Sequence, residues 1–561
     1  MSVPSTTPLT TSHWVPDGSG PALRLDLTVG QLLRDVAATV PDRAALVEGT
    51  ADPASRRRWS YAQLCADAER CARALLRRFQ PGERIAVWAP NSAEWLIVEY
   101  GAALAGLTLV TVNPSLQPAE LGYILTQSQA AGVLLVLEVR GNSLAAHLDQ
   151  VRPDLPELRE VLRLDQLPEL LAEADAGGPA ADIHLPTVTG EDVVQIQYTS
   201  GTTGFPKGAM LRHAGVVNNA TCWADRLAVP DGEPWLSPMP LFHTGGCVLA
   251  ALGALSRRSP LVLMPGFDPG LLVDLVETER PWFLAGVPTM LLAVLDHPDL
   301  ATRDLSSLRA VLSGGAQVPE ALVRRIEHTL GVDFTIVYGQ TECSPALTNT
   351  SPTDTPEDKG LTVGPPLPHT EVRIVDPATL GTVSIGSPGE LWARGYFTMA
   401  GYHHNPEATE ATLLADGWLR TGDLATMDER GYCRIVGRLK DMIIRGGENL
   451  FPAEIEEVLH QHPAVADVAV VGVPDDSWGE VVAAFIRPTD PADPPTVADL
   501  RDHTRAHLSP QKTPSLWYTV EAFPLTGSGK IQKNVIRDGW QQGRYRQHLP
   551  TSVGSTGPSE R

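Results

Sequence analysis

The sequence predicts an α/β protein: a large N-terminal domain of mostly parallel sheets with flanking helices, then a small α+β C-terminal domain. Three observations carry this. Short apolar runs alternate with amphipathic stretches from about residue 80 to 140. The same alternation returns from about 190 to 345. After about residue 437 the pattern changes to a compact mixture of two long β-rich runs and short helices. Strand–helix–strand alternation with short connections implies crossover units and hence parallel pairing.

In order, Ile85-Ala86-Val87-Trp88 reads as a buried strand, Asn91 as the cap of a helix running through Glu94 to about Ala105, and Leu107 to Val112 as a second strand. Pro118 opens another helix, and Val133 to Leu137 is a third strand. Beyond Gly437, Met442-Ile443-Ile444 is a short strand. Pro452 starts a helix whose Ile455, Val458 and Leu459 recur at helical spacing. Strands over Val465 to Val473 and Val481 to Ile486, a helix near Val497 to His507 and a strand near Leu516 to Val520 complete the unit. The expected division is a disordered segment 1–24, a large domain 25–436, a small lid-like domain 437–543 and a disordered tail 544–561.

The chain has 561 residues, with 44 Lys+Arg against 66 Asp+Glu and a formal charge of −22. Such a balance excludes a general nucleic-acid binder, which needs a basic footprint, but not an anionic small ligand. Only six of the basic residues are lysines: Lys207, Lys359, Lys440, Lys512, Lys530 and Lys533. The six cysteines are scattered without a C-x-x-C pair, which reads as reduced thiols in a cytoplasmic protein. Neither a signal peptide nor an apolar run of ~18 residues is evident.

The strongest local signal is Tyr198-Thr199-Ser200-Gly201-Thr202-Thr203-Gly204-Phe205-Pro206-Lys207-Gly208, directly after the strand-like run Val193 to Gln197. Glycines let backbone N–H groups wrap an anion, hydroxyls add donors and Lys adds a mobile cation. It is not a Walker A loop, because Gly208 follows Lys207 and the glycine spacing differs.

This segment resembles the phosphate-binding signature of the AMP-forming adenylating enzymes: acyl-CoA synthetases, peptide-synthetase adenylation domains and firefly luciferase. Further segments resemble that family in order. They are Pro240-Leu241-Phe242-His243-Thr244-Gly245-Gly246, Ser313-Gly314-Gly315-Ala316, Tyr338-Gly339-Gln340-Thr341-Glu342, Gly417-Trp418-Leu419-Arg420-Thr421-Gly422-Asp423, Gly437-Arg438-Leu439-Lys440-Asp441 and Pro524-Leu525-Thr526-Gly527-Ser528-Gly529-Lys530. The likeness covers roughly residues 25 to 543.

The resemblance implies ATP, Mg²⁺ and CoA as cofactors and an acyl-adenylate intermediate. It implies that Thr199 to Gly204 and Lys207 cradle phosphate, that Gly314, Gly315 and Ala316 form the adenine turn, and that Tyr338, with Gly339, Gln340 and Thr341, lies against adenine and the α-phosphate. Glu342 and Thr202 would hold the metal, Asp423 and Arg438 the ribose or phosphate, and Lys530 would act in adenylation. His243 implies a gate near the substrate carboxylate where amino-acid-activating relatives carry Asp. Thr244, Gly245, Gln317, Cys343 and Ser344 would line the acyl pocket. The small domain is expected to rotate about Lys440, exchanging Lys530 for the Gly446-Gly447 loop, beside which pantetheine passes.

The leading reading is an AMP-forming carboxylate–CoA ligase. The alternatives are a stand-alone adenylating enzyme that loads a separate acyl-carrier protein, an amide ligase, a nitrite-activating diazotase, a luciferase-like oxygenase or a binding-only relative. The last predicts loss of Lys530, Glu342 or Asp423, and all three are present. The acid and the oligomeric state stay open, a homodimer included. Hydrophobic pockets distinguish one methylene by only ~1–3 kcal/mol, so no single residue fixes chain length.

Overall fold

The computed structural model describes residues 8–175, 183–199, 206–315, 318, 320–446, 448–475, 477–525 and 531–545. Two sheets follow the predicted pattern. In a seven-stranded sheet, Val193–Thr199, Thr108–Val112, Arg84–Trp88, Gly132–Leu135 and Glu160–Arg163 run parallel, and Lys207–Arg212 and Gly401–Tyr402 close one edge antiparallel. In an eight-stranded sheet, the six inner strands from Asp333–Gly339 to Ala44–Glu48 are parallel.

Helix Ala93–Leu104 is buried along almost its whole length. An apolar surface on every side is what a helix between packed layers requires. Its cap differs from expectation. Ser92, not Asn91, accepts the Trp95 N–H at 3.2 Å. Asn91 instead donates to the Met239 and Met264 carbonyls and accepts the Leu241 N–H, tying this helix start to the segment before His243. A capping Ser can sit beside an Asn of the same propensity, so the choice falls to tertiary partners.

A third, five-stranded sheet is antiparallel throughout and was not anticipated. Its edge strand is His13–Trp14, paired with Arg373 and Val372. Residues 8–24 therefore do not belong to a disordered segment. Ser12 is fully buried and bonded to Val383 and Ser384, and Trp14 lies so close to Gly431 that a Cβ there would meet the indole at 2.3 Å. The polar, Pro-rich composition concealed a strand whose pairing partners, Val372 and Arg373, lie far along the chain.

The C-terminal sheet contains Ile443–Arg445, Glu448–Leu450, Val465–Asp475, Gly479–Pro488 and Leu516–Thr519. Its long strands are apolar on both faces because both are covered. Val468 and Val470 pack with Ile455, Leu459 and Leu500 on one side. Val471 and Val473 pack with Tyr518 and Ile536 on the other. Tyr545, assigned from sequence to the tail, joins this second layer beside Phe485; residues 546–561 lie outside the described residues.

Two lysines without an assigned role are structural. Buried Lys359 bonds Glu327 at 2.9 Å and the Pro352 carbonyl at 2.8 Å. Lys512 pairs with Glu454 at 2.6 Å.

One stability consequence follows from His213, whose ring nitrogen Nδ1 accepts the Val29 N–H at 3.2 Å. Burial pushes its pKa down from 6.5 to about 4. Between those values the unfolded chain binds the proton and the folded chain does not, so stability falls as pH drops through that window. The melting temperature is expected to decline from pH 6.5 to 4, and less steeply in His213→Gln. Equal slopes would remove His213 as a cause.

Candidate active site

The phosphate segment begins and ends in a hairpin. Thr199 and Lys207 are register partners at the open ends of Val193–Thr199 and Lys207–Arg212. Ser200, Gly201, Thr202, Thr203 and Gly204 lie outside the described residues. Lys207 leaves the hairpin with its ammonium 5.2 Å from the centroid of the Tyr402 ring, a cation–π arrangement.

The parallel strands Ala310–Gly314 and Asp333–Gly339 end together at the carboxyl edge of their own sheet, where open α/β sheets bind ligands. Gly314 has no room for a side chain, since a Cβ would lie 2.5 Å from the Val337 carbonyl oxygen. Gly315 has φ +76°, which favours glycine. Ala316 and Gln317 lie outside the described residues. After Tyr338, Gly339 lets the chain turn against Pro345, whose oxygen would be 1.9 Å from a Cβ. Gln340 then leads into the short 3₁₀ turn Thr341–Cys343.

Glu342 is buried on this turn and accepts a 2.7 Å hydrogen bond from the Tyr402 hydroxyl at Oε1. Its backbone carbonyl accepts the Met399 N–H at 3.0 Å. Cys343 and Ser344 are fully buried, and the Ser344 hydroxyl donates to the Phe397 carbonyl at 2.7 Å. Burial pushes the Cys343 thiol well up, which disfavours the thiolate.

Asp423 and Arg438 face each other as register partners of adjacent strands, with Nε 3.0 Å from Oδ1. Tyr338 donates its hydroxyl to Asp423 Oδ2 at 2.8 Å. Burial, and then the Asp423 charge, push the phenol well up, so it stays a donor. An aromatic ring, a carboxylate and a guanidinium thus meet on residues far apart in the chain. Beside them opens a cavity of about 270 Å³ lined by Gln340, Glu342, Glu390, Tyr402, Thr421 and Gly422.

The His243 segment borders a wide, π-type helix, Gly245–Leu252. His243 is exposed, and its Nδ1 accepts the Gly245 N–H at 3.1 Å. Thr244 and Ser313 are buried, and their hydroxyls have no hydrogen-bond partner among the described residues. Gly245 leaves 3.2 Å between a built Cβ and the Met239 methyl. Gly246 has a backbone reason to be glycine: a Cβ would lie 2.2 Å from the Pro240 oxygen. Behind this helix, Cys247, Gln197, Gln195 and Glu99 form a buried hydrogen-bonded chain that no sequence motif marks. Burial pushes the Glu99 carboxyl well up, favouring its protonated form.

At the expected hinge, Lys440 occupies the 3₁₀ turn Leu439–Asp441, and burial lowers its pKa. Gly446 has φ +59° and donates its N–H to the Trp478 carbonyl at 2.8 Å. Trp478 is 53% exposed, lies over Gly446 and carries Arg445 5.2 Å from its ring. It was missed from sequence because it stands 32 residues from Gly446. Gly447 and Lys530 lie outside the described residues. On either side of the latter's loop, Leu525 bridges Ile531, and Gln532 donates to the Pro524 carbonyl at 2.8 Å.

The signature of the AMP-binding enzyme family matches residues 33–403, and that of the AMP-binding enzyme C-terminal domain matches 454–530. The chain belongs to the AMP-binding enzyme family. Its similarity to YngI of Bacillus subtilis (strain 168) is 41% identity, covering 91% of this chain and 96% of YngI. The human mitochondrial medium-chain acyl-CoA ligase ACSF2 is 37% identical, with 91% and 87% covered. Among solved structures, the anthranilate CoA ligase AuaEII in complex with anthranoyl-AMP superposes with a TM-score of 0.82 at 27% identity, covering 92% of this chain and 98% of that one. None of the helices described is long and apolar enough to cross a membrane.

Proposed function

We propose that this member of the AMP-binding enzyme family is an AMP-forming acyl-CoA synthetase. It joins a carboxylic acid to ATP, releasing pyrophosphate, then transfers the acyl group from the adenylate to the CoA thiol, releasing AMP. The observation that carries this is the meeting of Tyr338, Asp423 and Arg438 beside a polar cavity lined by Glu342 and Tyr402. Asp423 takes the ribose hydroxyls, Tyr338 presents its ring to adenine, and Thr199 to Gly204 with Lys207 hold the phosphates.

The family's Mg²⁺ fits Glu342. A hard cation takes oxygen ligands and often only one or two carboxylates, and Glu342 lines the cavity with one oxygen already oriented by Tyr402. Thr202 is its proposed partner. When bound, the ion neutralises charge on the phosphate oxygens. Lys530 stabilises charge that builds at the α-phosphoryl oxygens and the attacking carboxylate. His243, Thr244, Gly245, Gln317, Cys343 and Ser344 bound the acid site.

We take residues 25–436 and 437–543 as two domains, with Lys440 as the hinge that replaces Lys530 by the Gly446-Gly447 loop for thiolation. The exposed indole of Trp478 beside that loop offers a flat face to the thiol donor. ACSF2 supports a medium-chain acid as substrate. Six free cysteines, five of them buried, support a reducing, cytoplasmic location.

ATP–pyrophosphate exchange over aliphatic, aryl and amino acids, with CoA-thioester formation scored in parallel, tests the assignment. Exchange and thioester are expected with medium-chain acids. No exchange with any acid would sink it, and exchange without thioester would favour a carrier protein or an amine as acceptor.

A further inference from the structure

We propose that Tyr402 is a positioning residue for metal-assisted adenylation, orienting Glu342 through its hydroxyl and Lys207 through its ring. The inference rests on the assignment of Glu342 to the metal made above.

Tyr402 belongs to the two-residue strand Gly401–Tyr402 at the edge of the seven-stranded sheet. Its backbone is fixed on all sides. It is the register partner of Ala209. The next residue, His403, donates its N–H to the Gly208 carbonyl at 2.8 Å, and Ala400 donates to Met210 at 2.8 Å. The Tyr402 N–H itself goes to Thr409 Oγ1 at 2.9 Å. These bonds anchor it to the strand that begins with Lys207, immediately after the phosphate segment.

The side chain then joins two parts of the site that are remote in sequence. Its face meets the Lys207 ammonium at 5.2 Å. Its hydroxyl meets Glu342 Oε1 at 2.7 Å. Both Tyr402 and Glu342 are buried, at 7% and 8% exposure. A fixed donor on Oε1 leaves Oε2 for a cation and stops the carboxylate rotating. Mg²⁺ demands near-octahedral geometry and is sensitive to such orientation. Losing a partner that orients a metal ligand typically costs ~10–100-fold in metal affinity. The Lys207 ammonium lies against the face of the same ring whose hydroxyl holds the carboxylate.

Tyr402→Phe separates the two functions, because it keeps the ring and removes the hydroxyl. Mn²⁺ serves as the probe, its binding to the enzyme–ATP complex followed by the loss of the free-ion electron paramagnetic resonance signal. The Mn²⁺ dissociation constant is expected to rise ~10-fold or more. The Mg²⁺ concentration for half-maximal pyrophosphate exchange should rise with it. Thioester formation from supplied acyl-AMP and CoA, and the melting temperature, should stay close to wild type. Glu342→Gln is measured alongside. If Glu342→Gln weakens Mn²⁺ binding and Tyr402→Phe does not, the role of Tyr402 is overturned while that of Glu342 stands. If Glu342→Gln leaves Mn²⁺ binding unchanged, the metal assignment falls and the inference with it. Equal loss of both half-reactions with a lowered melting temperature would make Tyr402 purely structural and overturn the inference.

Discussion

Lys530→Ala is expected to slow adenylation by roughly 10²–10³, the usual cost of removing one positioned group that stabilises transition-state charge. The effect should fall on kcat of pyrophosphate exchange more than on the ATP KM, because the charge it answers develops during attack on the α-phosphorus. Thioester formation from supplied acyl-AMP should stay within a few-fold of wild type, since the proposed thiolation arrangement withdraws this residue. The segments flanking its loop bear on the interpretation. Leu525 bridges Ile531, and Gln532 is bonded to Pro524 across the same ends. A side-chain truncation at 530 removes none of these backbone bonds, so the loss should be chemical and the melting temperature unchanged. Equal loss of both half-reactions would contradict the two-arrangement reading.

What was legible in the sequence is what local chemistry controls. The helix Val497–His507 matched its expected bounds because Thr496 caps it, accepting the Asp499 N–H, and Val497, Leu500 and Thr504 recur on one buried face. The strand of Ile85 to Trp88 was legible because apolar residues buried on both faces leave an unbroken run. What was not legible depends on pairing across the chain. His13–Trp14 is a strand only because an edge is open at Glu371–Val375. Two neighbouring polar residues, Asn91 and Ser92, offered the same capping chemistry, and only the carbonyls of Met239 and Met264 decide between them.

The site divides in the same way. Gly314 and Gly339 stood in motifs, and the close backbone contacts that require glycine give those motifs a physical basis. Tyr402 stood in none. Its partner Glu342 is 60 residues away, and nothing in the sequence around Gly401 says that the ring lies between a lysine and a carboxylate. The same holds for Glu99, whose carboxyl is pushed well up by burial alone, against the opposing 2.6 Å hydrogen bond from Gln195, 96 residues away.

Asp423→Ala is expected to lower kcat/KM for ATP by about 10²–10⁴. A carboxylate that accepts two ribose hydroxyls makes two hydrogen bonds to a charged group, each worth about 1.5–3 kcal/mol, and tenfold corresponds to about 1.4 kcal/mol. The substitution also releases the Tyr338 hydroxyl and the Arg438 guanidinium from the same carboxylate. Arg438 has a half-exposed side chain and can be rehydrated, which keeps the cost to the fold small. Tyr338 is the more serious loss, because its ring orientation in the proposed adenine contact is set by that bond. Comparing ATP with 2′-deoxy- and 3′-deoxy-ATP separates the two contributions. The wild type should discriminate against both deoxy nucleotides, and Asp423→Ala should discriminate much less. Asp423→Asn, which keeps an acceptor oxygen but loses the charge, should lie between them. If discrimination persists undiminished in Asp423→Ala, the carboxylate does not read the ribose, and its bonds to Tyr338 and Arg438 are its whole function.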